Sequence, residues 1–286
     1  MMSKDIFYGN FELEDILSDL ISSEPVQRLK NIHQGGAIFL VSPNAAHSRF
    51  EHSIGVMLLV RKLGGNLEEQ IASLLHDVSH TAFSHVVDYV LRNQGENYHE
   101  QIFGEVVANS TIPAILAKYG YSTSLLENPG NTLLEMPLPS LCADRIDYTI
   151  RDLYHFGLIN LTEIHDFIDK LDVQDGKIGV KSKEAASWIA SKYLQLNLDY
   201  FRKPEHIFAN FRFSELIAIG LEKGIISMSD LSKDDPSVLS ILRSDPHLNS
   251  ELEKIKCLKG FESFSKSTPQ DMFKERILEP MIIGTA

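Results

Sequence analysis

His76 and Asp77 stand side by side at the end of an apolar run, IASLLHD, where burial alone would favour Leu or Ala. A buried charge needs a partner to offset its desolvation. Candidate partners are close in sequence. RFEHS upstream carries Arg49 and His52, SHTAFSH downstream carries His80 and His85, and ADRIDYTIRD carries Asp144, Arg145, Tyr148 and Asp152. Five of the chain's eleven histidines (His52, His76, His80, His85 and His99) fall between positions 52 and 99, a density that favours a shared site over scattered surface residues. Two imidazoles and two carboxylates, from His52, His76, Asp77 and Asp144, form a mixed nitrogen/oxygen set suited to a hard or borderline divalent metal. A metal beside arginine and spare histidine is equipment for hydrolysing a phosphate ester. A lone His-Asp dipeptide is more often a surface pair or a satisfied core histidine, so this reading requires all four groups to converge.

The elements that must bring them together read as helices. EPVQRLKNIH at 24–33 places Pro25 near a helix start, with Val26, Leu29 and Ile32 at helical spacing. Residues 35–50 break the pattern with Gly35-Gly36 and Pro43-Asn44, and read as a loop or short strand. A helix is expected from about 52 to 63, ended by Gly64-Gly65. Asn66, with Glu69 three residues on, has the signature of an N-cap; the helix it opens, 67–77, should deliver His76 and Asp77 at its C-terminal end. Another is expected over 82–93, where His85 and Asp88 at i,i+3 share a face. Residues 99–109, 139–153, 183–202 and 205–223 also read as helical. DVQDGKIGV at 172–180, with its Asp175-Gly176 turn, is the one good hairpin signal. Asp234-Asp235-Pro236 and Asp245-Pro246 mark helix starts in a charged tail, whose stretch after about 258 reads least clearly. The expected fold is an all-α helical bundle with one small β-hairpin, with a main domain over 1–225 and a small helical or irregular extension over 226–286 packed on it.

Composition narrows the partners. The chain has 286 residues, 43% of them apolar, and a net charge of -12. It is long enough to bury a substantial core, and its surface repels polyanions, so duplex nucleic acid is not an expected partner. A small phosphorylated ligand remains compatible, because a metal and a few buried arginines reverse the field locally. Cys142 and Cys257 form no ligand pattern and read as buried or semi-buried free thiols. The polar, acidic start has no apolar targeting segment, and IGVMLLV at 54–60 is too short to span a bilayer. A cytoplasmic protein without membrane contact is expected.

In this order, RFEHS, LLHDVSHTAFSH, HEQ, then ADRIDY followed by RD, the chain resembles the HD-domain phosphohydrolases, and among them it is most similar to the deoxynucleoside triphosphate triphosphohydrolase branch. The likeness begins near KDIFYGNFELED and PVQRLKNIHQGG and runs, more weakly, through 190–243, so it covers most of the chain. It implies the HD-domain bundle and one divalent ion (Mn, Fe, Mg, Ni or Co) held by His52, His76, Asp77 and Asp144. It further implies His85, beside Asp88, as the catalytic histidine, and His80 and His99 as histidines facing the phosphates. Arg49, Arg145 and Tyr148 would bind phosphate oxygens, Asp152 the sugar 3′-hydroxyl, and Tyr200, Gln34 and Lys192 the surroundings of the sugar. The implied reaction is attack at the α-phosphorus of a deoxynucleoside triphosphate, releasing tripolyphosphate. The implied partner is a nucleotide or other phosphorylated small molecule, and a homo-oligomer is left open.

Some positions depart from that branch. Arg145 stands where a lysine is frequent, Lys192 where an arginine is, and FRKPEH follows Tyr200 in place of a Gln-His-Lys motif. Ser22 and Lys30 match an acidic residue and an arginine that read an activating guanine, and the long C-terminal region of allosteric tetramers has no counterpart; guanine-nucleotide activation is therefore not expected. Read without the family, Arg49 is a surface ion-pair residue, Tyr148 and Tyr200 are core aromatics, and Asp152 is a helix-surface acid. His155, His165, His206 and His247 have no motif support and read as structural. Two other functions compete: a nucleotidase or phosphodiesterase acting on another nucleotide, and a non-catalytic nucleotide sensor. A complete set of ligands and histidines argues for an enzyme, and the number of phosphate-binding candidates favours a polyphosphate.

Overall fold

The computed structural model describes residues 2–127, 133–267 and 276–284. Among them the chain is predominantly helical, with sixteen α-helices and two small two-stranded sheets. A hairpin not anticipated from the sequence opens it: β1 (Met2–Asp5) pairs antiparallel with β2 (Gly9–Glu12). Its turn is held by Asp5, whose Oδ1 accepts the amides of Phe7 at 2.8 Å and Tyr8 at 3.2 Å. This turn chemistry was present in the sequence but lay in a stretch that looked merely polar.

Short helices α1 (Asp15–Ser22) and α2 (Glu24–Arg28) follow, and the 24–33 segment tightens into a 3₁₀ turn over Leu29–Asn31 instead of continuing as α-helix. Helix α3 (Arg49–Lys62) begins one turn earlier than the periodicity suggests. The cause is a capping box in which Ser48 Oγ accepts the Glu51 amide while Glu51 accepts the Ser48 amide. Every residue from His52 to Val60 is buried, so α3 is the central rod of the bundle. Helix α4 (Leu67–Leu75) packs along it, opened by the expected Asn66–Glu69 capping box. It stops at Leu75, two residues short of expectation; His76 is its C-cap and Asp77 lies in the turn that follows.

The helix expected over 82–93 is much shorter than that. Residues 77–85 form turns, and α5 covers only Val86–Val90. Phe83 and Ser84 have φ of 58° and 54°, a left-handed conformation no helix accommodates. Helices α6 (Tyr98–Ala108), α7 (Ile112–Lys118) and α8 (Ser124–Glu127) lead to α9 (Ala143–His155), which also packs on α3; residues 139–142 are not helical. Then come α10 (Leu161–Ile168) and the expected hairpin, β3 (Leu171–Gln174) paired with β4 (Lys177–Val180). Helix α11 (Lys183–Gln195) passes into one π-helical segment at Leu196–Phe201 before α12 (Pro204–Glu222). Helices α13 (Met228–Leu231), α14 (Asp235–Ser244), α15 (Pro246–Lys256) and α16 (Phe261–Ser267) complete the described helices. No described helix is long and apolar enough to cross a membrane.

The core has two parts. The larger is built around α3 by Met57, Leu58, Leu74, Ile146 and Ile150 among others. The smaller joins Phe83, Val86 and Val87 to Phe213, Ile217, Val238 and Leu242, so α5 is packed chiefly against the C-terminal helices. Of the two free thiols, Cys142 is buried as expected, whereas Cys257 is exposed.

Candidate metal centre

Because α3 touches both α4 and α9, the three helices can bring one residue each to a common point. His52 comes from α3, His76 from the cap of α4, and Asp144 from the first turn of α9. His52 Nε2 lies 3.0 Å and His76 Nε2 3.6 Å from Asp144 Oδ1. Asp77 completes the group, with Oδ1 3.5 Å from His76 Nε2 and Oδ2 3.8 Å from His52 Nε2. Ligands bound at about 2.1 Å stand about 3.0 Å apart across an octahedral edge and about 3.4 Å across a tetrahedral one. The observed separations are of that size.

Ring orientation supports the same use. His76 Nδ1 donates to the Ser73 carbonyl at 2.7 Å, which leaves the Nε2 lone pair directed at the carboxylates. That Nε2 is buried and has no hydrogen-bond partner. An acceptor facing acceptors is unfavourable unless a cation lies between them. His52, His76 and Asp144, whose ligand atoms all lie within 4.8 Å of one another, therefore fit one divalent ion, and Asp77 flanks them through its two oxygens.

The charges are arranged accordingly. Burial would push His52 down, but the hydrogen-bonding Asp144 and Asp147 carboxylates outweigh it and lift the imidazole to about 10. Burial would raise Asp77, yet the Arg49 guanidinium with the His76 and His80 rings holds it well below the usual carboxylate range. Without metal, His52 therefore carries a proton at neutral pH that an ion must displace, and Asp77 and Asp144 raise His76 against its burial as well. Metal affinity is expected to rise with pH through the neutral range and to level off near pH 10. Calorimetric titrations in buffers of different ionisation enthalpy would measure the released proton. In the metal-free chain the same raised value stabilises the fold below the unfolded histidine pKa, and that contribution fades as pH climbs toward 10.

Beneath His52 lies a network that sequence reasoning did not find. His52 Nδ1 donates to Asp147 Oδ1 at 2.8 Å, which fixes the ring and keeps Nε2 toward Asp144. Asp147 is fully buried, and Arg151 grips it twice at 2.8 Å, with Tyr8 donating to it at 2.8 Å. Arg151 also reaches Asp5 at 3.0 Å, so the N-terminal hairpin is tied to α9. The approach is so close that a Cβ on Gly55 would stand 2.2 Å from both Asp147 and Arg151. The available signal was spacing: Asp147 follows Asp144 by three and precedes Arg151 by four. Asp147→Asn is expected to weaken metal affinity about 10- to 100-fold; competition with a chromogenic chelator would read it, and an unchanged affinity would make the network purely structural.

A second wall is made of histidines. His80, His85 and His99 bring ring nitrogens within 4.8 Å of one another. His80 and His99 stack at 3.9 Å, and His80 Nε2 is 3.2 Å from Asp77 Oδ1. Burial pushes His80 well below its ordinary value and His99 down to about 3, so both rings are neutral. The His85 side chain is 43% exposed and Asp88 is buried. Asp88 Oδ2 faces His85 Nδ1 at 3.0 Å, while its Oδ1 is anchored by Asn93 at 2.7 Å and the Tyr98 amide at 3.1 Å. The expected i,i+3 pair thus meets across the first turn of the short α5, with His85 as its N-cap.

The remaining candidates are placed unevenly. Arg49 is buried, donating to Asp77 at 2.6 Å and Ser84 at 2.7 Å. Arg145 directs its Nη1 to the Met136 and Ser140 carbonyls at 3.0 and 2.7 Å, bracing the loop before α9. The Tyr148 hydroxyl is 3.4 Å from that of Tyr193. Asp152 is buried and bonded to His47 Nε2, a histidine the sequence reading passed over. His155, read as structural, stacks on His47 at 4.7 Å. Gln34 Oε1 and the Tyr200 hydroxyl are buried without partners, and Gly35 lets that hydroxyl within 2.6 Å of where a Cβ would stand. Lys192 turns to Gln195 at 3.3 Å and Glu163 at 3.8 Å, contacts that include no other candidate.

With this geometry in hand, comparison with known proteins gives a consistent picture. The HD domain family profile matches residues 49–152. An uncharacterized protein, YdhJ, of Bacillus subtilis is 51% identical over 85% of this chain and 76% of its own. The metal-dependent phosphohydrolase cns2 of Cordyceps militaris is 34% identical over 79% of this chain and 68% of its own. The deoxynucleoside triphosphate triphosphohydrolase SAMHD1 of Homo sapiens is 34% identical over 57% of this chain and 34% of its own. A hypothetical protein from Aquifex aeolicus has a similar fold, with a TM-score of 0.70 over 95% of this chain and 83% of its own at 24% identity.

Proposed function

The chain belongs to the HD-domain family of metal-dependent phosphohydrolases, and we propose that within it the enzyme hydrolyses deoxynucleoside triphosphates to deoxynucleoside and tripolyphosphate. The observation that carries this reading is the metal quartet lying against a wall of three histidines, with Asp77 shared between them. The three rings cluster with centroids 3.9, 4.9 and 5.3 Å apart, so several imidazoles converge on one region beside the quartet. Several donors at one place suit a polyphosphate better than a monophosphate. The likeness to SAMHD1, restricted as it is to 57% of this chain, supports the same substrate class.

His52, His76, Asp77 and Asp144 would hold the ion, which when bound supplies Lewis acidity for a phosphoryl oxygen and eases deprotonation of water. The chain's own groups do the rest. His85 can pass a proton to the departing 5′-oxygen, with Asp88 holding its ring. His80 and His99, as neutral rings, can donate to phosphate oxygens without the cost of burying further charge. Arg49 keeps Asp77 ionised and in place. Asp152, Gln34 and Tyr200 supply polar atoms for a sugar, and Arg145 and Tyr148 line the approach from α9. In the same reading the enzyme acts on soluble nucleotides in the cytoplasm.

The test is direct. The manganese-loaded chain is incubated with deoxynucleoside and ribonucleoside triphosphates, monophosphates and cyclic nucleotides, and products are separated by ion exchange. Deoxynucleoside plus tripolyphosphate is the expected result. Orthophosphate released from monophosphates would replace this reading with a nucleotidase, and tight binding without turnover would replace it with a sensor.

A further inference from the structure

His80 and His85 are carried by a chain of turns instead of a helix, and that turn contains two consecutive left-handed residues with side chains, Phe83 and Ser84. Residues of this kind hold that conformation only where their surroundings over-determine it. Here much of the restraint arrives from far along the chain. The Ala82 amide donates to the Leu231 carbonyl at 2.8 Å, and the Phe83 amide to Asp235 Oδ1 at 2.6 Å. Arg28 donates to the Val78, His80 and Lys233 carbonyls, each at 2.8 Å, bridging the turn to the same C-terminal segment.

Asp235 is the centre of this arrangement. It is fully buried and accepts, besides Phe83, the His33 amide at 2.9 Å, with His33 Nδ1 at 2.6 Å. The His33 carbonyl accepts Ser84 Oγ at 2.7 Å, Ser84 accepts Arg49, and Arg49 holds Asp77. Contacts therefore run without a break from the C-terminal segment to the metal quartet. Asp235 is not needed to cap its own helix. That is done by Asp234, whose side chain accepts the Ser237 amide at 3.1 Å. A carboxylate suits the buried position because it only accepts, and donors converge on both its oxygens.

We infer that Asp235 is a positioning residue for hydrolysis: from the C-terminal segment, it sets the left-handed turn that aims His80 and His85. This rests on the reading that His85 acts on the substrate. On this view the segment after residue 225 completes the site.

The test uses the full, metal-loaded chain and whichever substrate the wild type turns over best in the panel above. Asp235→Asn is nearly isosteric but brings an NH₂ group against one of the converging donors. It is expected to lower kcat about 10- to 100-fold, as slight misplacement of a catalytic group does, with KM and metal content little changed. Amide hydrogen exchange should accelerate across 78–85 and stay slow in α3 and α9. Arg28→Gln, which releases the turn from its other side, should give the same kcat-selective loss and serves if the asparagine variant does not fold. Asp234→Ala weakens the α14 cap and should lower Tm while kcat is retained. Full kcat in either folded turn variant overturns the inference. So does an equal loss in Asp234→Ala, which would mark general loosening of the segment. Full turnover in His85→Ala would instead sink the catalytic reading beneath it, and the inference with it.

Discussion

Asp77→Ala is expected to release the metal and to abolish turnover. No other carboxylate touches so much of the site. Its Oδ1 lies 3.5 Å from His76 Nε2 and 3.2 Å from His80 Nε2, and its Oδ2 is 2.6 Å from Arg49. Removing it deletes one of four ligands and also leaves the buried Arg49 guanidinium facing the imidazoles. The local charge becomes more positive by one, which repels the ion the remaining three groups would have to hold. Metal content should fall from about one ion per chain to near zero. Loss of the ion forfeits several kcal/mol of transition-state stabilisation, a fall of about 10³-fold or more. Breaking a buried pair by removing one partner also costs about 3–5 kcal/mol of stability. Asp77→Asn, which preserves volume, is therefore the companion variant, and a thermal melt separates unfolding from demetallation. Elemental analysis is the decisive measurement: one equivalent of tightly held metal in a folded Asp77→Ala chain would mean that these four groups do not share an ion.

His85→Ala should have the opposite signature, with metal retained and activity lost. The His85 side chain is 43% exposed and does not belong to the quartet, so its removal disturbs little packing. Asp88 keeps its bonds to Asn93 and the Tyr98 amide. What disappears is the ring that Asp88 orients, and with it a proton carrier positioned beside the phosphates. General acid–base groups of this kind contribute about 10²- to 10⁴-fold. The expected outcome is a turnover lowered by that factor, with metal stoichiometry and melting temperature close to wild type. Unaltered turnover would reassign the proton transfer to another group on the histidine wall.

The two variants together divide the site into a part that holds charge and a part that moves protons. The physical basis is burial. His52, Asp77 and Asp147 are out of contact with solvent, and each is tied to a charged neighbour. Of the histidine wall, His80 is buried, whereas His85 and His99 are partly open.

Residue type and spacing carried a large share of this in advance. Buried polar residues inside an apolar run are legible because burial selects against them unless they are matched. The Asn66 cap, the Asp175-Gly176 hairpin and the helix starts at Pro236 and Pro246 are local chemistry, decided within a few residues. The expected helix over 82–93 failed for the converse reason. Nothing local in AFSHVVDYV announces two left-handed residues; they are held where Leu231 and Asp235, some 150 positions away, supply acceptors for the amides of Ala82 and Phe83. The ties from Tyr8 to Asp147 and from Asp5 to Arg151 escaped notice likewise, since these partners are separated by more than a hundred residues; the N-terminal hairpin itself is local and was passed over because its stretch looked merely polar.

By itself, then, the chain determined which side chains were available for chemistry, because ligand type, charge and the cost of burying them are properties of the residues. It also determined most helix starts, because caps act locally. Only the tertiary structure decided where those side chains meet. Packing α4 and α9 on α3 set the spacing of the quartet, and Asp147 set the orientation of His52. A carboxylate from the far end of the chain set the turn that presents the histidines. Distances between remote residues follow from how whole faces of helices fit together, and no window of sequence contains that information.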